Sequence, residues 1–144
     1  MITVGHVLQE KGNRIWSVSS DTTVYDALTL MAENNLGAVL VMDGARIAGM
    51  FSERDYARKV ILEGKSSKET PVKEIMTKDV LFVRPDHSIE DCMALMTDKR
   101  TRHFPVMEGE QLVGVISIGD VVKAIISEHQ FVIKQRENYI TGGR

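Results

Sequence analysis

Displacing the chain by 65 positions against itself superposes residues 21–61 on residues 86–126 without a gap. Identities fall at Asp21/Asp86, Asp26/Asp91, Leu30/Leu95, Met31/Met96, Val41/Val106, Met42/Met107, Gly44/Gly109, Gly49/Gly114, Ser52/Ser117, Asp55/Asp120 and Ile61/Ile126. Eleven identities in 41 aligned positions compare with roughly two or three for unrelated segments of ordinary composition. Similar pairs such as Val24/Ile89, Ile47/Leu112 and Val60/Ile125 extend the match. A duplication constrains the fold strongly, because whatever one copy builds the other must build again.

Each copy reads locally as the same string of elements. Val24, Ala27, Leu28 and Met31, and in the copy Ile89, Cys92, Met93 and Met96, follow the spacing of one helical face. Thr23 with Asp26, and Ser88 with Asp91, stand in capping-box relation ahead of those faces. A β-branched run, Ala38 to Met42, then meets Asp43-Gly44 and a second apolar run from Ile47 to Phe51. Asp-Gly between two such runs signals a hairpin, which Glu108-Gly109 repeats less ideally. Ser52 or Ser117 opens a second helix, with Tyr56, Val60 and Ile61, or Val121, Ile125 and Ile126, expected to face inward. Ile15 to Val18 and Val80 to Val83 each predict a strand before the first helix.

The fold class expected is therefore α+β, two tandem β-α-β-β-α repeats packed as a pseudo-twofold pair. One unit of about 60 residues is marginal alone, and a pair buries far more surface. The expected division is 1–65 for repeat 1, 66–71 for a linker, 72–127 for repeat 2 and 128–144 for a C-terminal helical tail. The stretch from Glu63 to Pro71 is polar with Gly and Pro punctuation, as a surface connector should be. The tail carries Phe131, Ile133, Tyr139 and Ile140 in weakly amphipathic spacing and ends in Gly142-Gly143.

Composition excludes several classes. With 43% hydrophobic and 26% charged residues the chain matches globular averages. Its longest apolar run, Ala38 to Met42, is far shorter than the roughly 18 residues of a membrane span. Met1 to His6 shows neither a basic nor an apolar leader segment, so no secretory signal is expected. A net charge of -2 lacks the broad basic footprint of a nucleic-acid binder. Cys92 is the single cysteine, which rules out an intramolecular disulfide and fits the reducing cytoplasm. It reads as a small buried hydrophobe or as a reactive thiol. The four histidines have no metal-ligand spacing, so no metal is expected.

The chemistry concentrates where the second helix of each copy begins, at Gly49-Met-Phe-Ser-Glu-Arg-Asp55 and Gly114-Val-Ile-Ser-Ile-Gly-Asp120. A strand feeding a helix presents amide N–H groups and a positive dipole end, a natural place for an anion. A carboxylate one turn in can accept hydrogen bonds from the hydroxyls of a ribose. The same Ser-x-x-Asp text is also a capping box that satisfies the helix's own amides. The residues alone leave both readings open.

The doubled Gly-apolar-apolar-Ser-x-x-Asp pattern resembles the CBS domain, named after cystathionine β-synthase. Val72-Lys-Glu-Ile-Met-Thr77, Val83-Arg-Pro-Asp86 and Arg102-His-Phe-Pro-Val106 agree with that family, and the resemblance spans about residues 4 to 127. It looks most like stand-alone tandem CBS proteins of bacteria and related plant organellar proteins. The resemblance implies an intramolecular pair, the Bateman module, with two clefts for an adenosine-containing ligand: AMP, ADP, ATP, NAD(H) or S-adenosylmethionine. It also implies a homodimer.

Carried over by position, Asp55 and Asp120 match the family's ribose-binding aspartates, and Ser52 and Ser117 its hydroxyl contacts. Thr77 matches the threonine lining the Asp55 cleft. Val7-Leu8-Gln9 stands where Ile75-Met76-Thr77 stands in the other copy, and Lys11-Gly12-Asn13 lengthens the segment. That departure makes the Asp55 cleft the better formed in expectation. Trp16 and Leu81 hold the position whose backbone meets the adenine edge; Trp16 could equally pack a core or interface. Arg102 and His103 match basic phosphate ligands of related sensors, and Arg54 faces Gly119 across the alignment, with Arg58 and Lys59 one turn on. Arg58 and Lys59 also fit a solvated helix face, and Lys65 and Lys68 a solvated linker.

The function expected is a regulatory, non-catalytic module that senses energy or redox state by binding an adenine nucleotide, with an unknown protein effector and no nucleic-acid or membrane partner. The alternative is a homodimeric scaffold with vestigial ligand sites. An enzyme ranks below both, since no nucleophile-base pair, metal cluster or phosphate-cradling loop of the Walker type is present.

Overall fold

The structure, a computed structural model, describes residues 1–12 and 14–140, with side chains described through Gln130. The chain divides into two compact units. One comprises Ile15–Leu81; the other joins Met1–Arg14 to the chain from Phe82 onward. The compact units are therefore cut differently from the sequence repeats. Each hairpin is completed by a segment that precedes the other repeat's first helix.

In the unit of residues 15–81, β1 (Ser17–Val18) lies parallel to β2 (Ala38–Asp43), which pairs antiparallel with β3 (Arg46–Ser52). Helix α2 (Val24–Glu33) buries Val24, Ala27 and Met31. These meet Val39, Val41, Phe51, Val60, Val72 and Ile75 in one core. In the second unit, α1 (Val4–Lys11), α4 (Ile89–Lys99) and the hairpin of β4 (His103–Glu108) and β5 (Gln111–Ser117) enclose Val4, Leu8, Val83, Ile89, Cys92, Met96, Phe104, Val106 and Ile116.

The two hairpins are copies in register. Ala38 faces Ser52 as His103 faces Ser117, and each ladder carries a register shift at the same place, after Val41 and after Val106. Gly44 and Gly109 take φ of 62° and 63° at the two turns, a backbone region open to glycine at little cost. Thr23 and Ser88 cap α2 and α4 by accepting the amides of Asp26 and Asp91.

Several expectations need correction. The strand expected over Val80 to Val83 shrinks to a single parallel bridge between Val83 and Val106. Val83 donates to Pro105 and accepts from Met107, but a longer ladder needs N–H groups at Pro85 and Pro105, which proline lacks. Ile61 and Ile126 do not face inward; they are 55% and 50% exposed. After α3 (Glu53–Tyr56) the chain widens into a π turn, Ala57–Ile61. Val60 is buried there while Ile61 and Leu62 face solvent. In the copy, α5 runs unbroken over Ile118–Ile140, so the expected tail continues the second helix of its repeat. The tail side chains Phe131, Ile133, Tyr139 and Ile140, and the residues Gly142-Gly143, lie outside what is described.

Candidate functional site

Ser52 closes β3 and caps α3, and its hydroxyl accepts the Asp55 amide at 3.2 Å. The Asp55 carboxylate returns the contact, its Oδ2 accepting from the Ser52 amide at 3.0 Å and the Ser52 hydroxyl at 3.1 Å. Met50 and Thr77 exchange backbone hydrogen bonds of 2.9 and 2.8 Å, which draws Thr77 alongside. Its hydroxyl then donates to Asp55 Oδ1 at 3.2 Å. Lys59, one turn along, brings Nζ to 3.1 Å from the same oxygen and donates to the Ile75 carbonyl at 3.2 Å. Asp55 is buried.

The copy is built alike at its base and differently around it. Asp120 Oδ2 accepts from the Ser117 amide at 2.8 Å, and the Asp120 amide donates to the Ser117 hydroxyl at 3.2 Å. Among the described residues no threonine hydrogen-bonds this carboxylate. Lys11, from the last turn of α1, lies 2.6 Å from Asp120 Oδ2 and donates to the Val115 carbonyl at 2.8 Å. His103 sits opposite Ser117 on β4, and the Arg102 carbonyl accepts from the Ile118 amide at 2.8 Å.

The electrostatics follow from this placement. Burial works to raise the Asp120 carboxyl, but the Lys11 ammonium and the Ser117 N–H and hydroxyl outweigh it and hold it below the usual carboxylate value. Burial, then the charges of Lys11 and Arg102, push the His103 imidazole below 6.5, with Asp120 opposing in part. A thiol pushed up to about 11 by burial has little thiolate at neutral pH, so Cys92 acts as a small core residue. Among the described residues no group of His, Cys, Asp or Glu is arranged to hold a metal ion.

Two amides of each second-helix start are already engaged within the protein. The first amide of each second helix is spent on a carbonyl, Glu53 on Gly37 and Ile118 on Arg102. The third is spent on the serine hydroxyl. The reciprocal Ser-x-x-Asp cap is thus formed at both junctions, and each carboxylate sits within it.

The structure gathers Ser52, Asp55 and Thr77 at one junction and Arg102, His103, Ser117 and Asp120 at the other. Arg54 lies exposed on α3. Trp16 packs against the core of its own unit, and Leu81 is 43% exposed. Two site lysines were not singled out by sequence as carboxylate partners. Lys59 was legible in principle, since Asp followed by Lys four residues later pairs on a helix. Lys11 carried no local signal, being 109 residues from Asp120.

Residues 11–62 and 72–127 each match the CBS domain family. The chain is 40% identical over 151 residues to the CBS domain-containing protein CBSX3, mitochondrial, of Arabidopsis thaliana, covering 98% of this chain and 73% of the plant protein. A solved structure of a protein with CBS domains from Burkholderia ambifaria MC40-6 is 52% identical, with a TM-score of 0.85, covering 87% of this chain and 94% of that one. The CBS domain pair of protein MJ0100, solved with 5'-methylthioadenosine and S-adenosyl-L-methionine, shares the fold at 17% identity, with a TM-score of 0.76 over 89% of this chain and 98% of that one. Duplicated text, duplicated hairpin register and these matches converge: the chain belongs to the CBS-domain family and carries the domain twice.

Proposed function

We propose that this protein is a regulatory module that binds an adenine nucleotide (AMP, ADP, ATP or NAD(H)) at its Ser-x-x-Asp junctions and relays occupancy to a protein effector. The observation that carries the reading is the doubled junction itself. A carboxylate is held by its own helix start, with basic side chains beside it, in both copies of a CBS domain. The ligands of the MJ0100 pair, both adenosine compounds, support the ligand class. Such a ligand acts through unequal affinity for two states of the protein. A cytoplasmic setting belongs to the same proposal, although the Arabidopsis relative is named as mitochondrial. No helix among the described residues is long and apolar enough to cross a membrane.

The scaffold alternative also has an observation in its favour, since both aspartates already serve as helix caps. A melting screen over AMP, ADP, ATP, NAD+, NADH and S-adenosylmethionine separates the two. A ligand present at about 100 times its dissociation constant adds about 2.7 kcal/mol of stability, so a clear rise in Tm is expected with at least one adenine nucleotide. No rise with any of the six leaves the scaffold.

A further inference from the structure

Resting on that nucleotide reading, we infer that the two junctions are unequal, and that the Asp120 site, directed by Lys11, is the one that takes a phosphate-bearing adenosine compound. This reverses the ranking expected from sequence. The Asp55 carboxylate is saturated from within its own unit. Oδ2 accepts two hydrogen bonds from Ser52, and Oδ1 is shared between the Thr77 hydroxyl and the Lys59 ammonium. A carboxylate offers about four acceptor directions, so a ribose diol could bind only by displacing Thr77 or Lys59. The side chain is also only 9% exposed.

Asp120 is loaded on one side only. Oδ2 receives both the Ser117 amide and Lys11, and among the described residues Oδ1 accepts no hydrogen bond. With 22% of its side chain exposed, Asp120 has one oxygen anchored and the other available to hydroxyl donors, an acceptor organised before the ligand arrives.

Lys11 supplies the preference for phosphate. An ammonium has three N–H donors; Asp120 and the Val115 carbonyl take two, leaving one for an anion. Arg102 stands close enough for its charge to be felt at His103, as are Lys11 and Asp120. Lys11 is thus the cation in contact with the carboxylate, and Arg102 adds its charge at the neighbouring His103. In the other copy Gly37 and Ala38 replace Arg102 and His103, and Lys59 is turned onto Asp55 and the Ile75 carbonyl.

Calorimetry with AMP and with adenosine tests this on the unaltered chain and on Asp55→Asn, Asp120→Asn, Lys11→Met and Lys11→Arg, with melting curves as the folding control. Asp120→Asn should weaken AMP by about tenfold or more, the loss of a hydrogen bond to a charged acceptor, while Asp55→Asn stays within about threefold. Lys11→Met should weaken AMP by about tenfold with adenosine nearly unchanged, and Lys11→Arg should restore AMP. If Asp120→Asn does not fold, the Lys11 pair decides. AMP binding lost in Asp55→Asn but kept in Asp120→Asn overturns the inference alone. So does a Lys11→Met effect equal for AMP and adenosine, which marks Lys11 as a structural pin for α1. An unaltered chain that binds no adenosine compound overturns the nucleotide reading and this inference together.

Discussion

His103 shows how one residue sets a pH dependence through its neighbours. It sits at the start of β4 with Lys11, Arg102 and Asp120 around it, and burial followed by the two like charges holds its imidazole below 6.5. The unfolded chain therefore takes up this proton more readily than the folded one. Stability tied to neutral His103 is complete above about pH 6.5 and is lost as pH falls through the lower folded value. Tm should begin to decline near pH 6.5, well before carboxylates titrate, and His103→Gln should flatten that limb. An unchanged slope in His103→Gln would exclude the assignment. Asp120 acts in a separate window. Its folded pKa lies below 3.8, so its contribution is present above the ordinary carboxylate value and is lost only as pH falls further.

At the scale of elements, Gly49 and Gly114 occupy the same place in the two hairpins but face different neighbours. A Cβ on Gly49 would come within 2.6 Å of Met76 Sδ and 2.7 Å of the Thr77 carbonyl oxygen. That carbonyl accepts the Met50 amide, so it cannot retreat without breaking the bridge that brings Thr77 to Asp55. A Cβ on Gly114 would meet only Leu8 methyls, at 2.9 and 3.0 Å, which can rotate aside. Gly49→Ala should therefore cost about 1–3 kcal/mol and Gly114→Ala distinctly less, measured by denaturant unfolding. Equal costs would mean that the 75–77 segment yields as easily as Leu8. The same contrast shows what sequence made legible. Caps, hairpins and their turns rest on signals a few residues apart, and they were read correctly in both copies. The shortening of the expected Val80 to Val83 strand to one bridge and the π turn were not legible, because each depends on what a distant partner or the following turn permits. Lys11 was missed for the same reason: the partner that gives it meaning is at the far end of the chain.

At the scale of the whole molecule, a homodimer is expected to use apolar surface of the first helices together with the second helices, and the first-helix faces have little to offer. Val24, Ala27 and Met31, like Ile89, Cys92 and Met96, are at most 3% exposed and covered within their own units; Leu28 is partly buried against its core, and Met93 is open, at 37%. The second helix of repeat 2, α5, does carry an open apolar stripe. Ile118, Val122 and Ile126 recur at four-residue spacing and line a shallow depression together with Gly119, Lys123, Ser127 and Gln130. Val122 is 43% and Ile126 50% exposed. An apolar stripe rimmed by polar side chains is what protein interfaces leave uncovered in a single subunit. If this stripe joins two copies, light scattering at micromolar concentration should find a mass about twice 16.1 kDa. The double variant Val122→Glu with Ile126→Glu should reduce it to 16.1 kDa. Exposed positions tolerate substitution within about 0.5 kcal/mol each, so the variant should fold, whereas association would bury two like charges per subunit without partners. A doubled mass that survives the double variant would move the interface off α5, and a mass of 16.1 kDa for the unaltered chain would leave the stripe to a different protein, the effector that a nucleotide-sensing module requires.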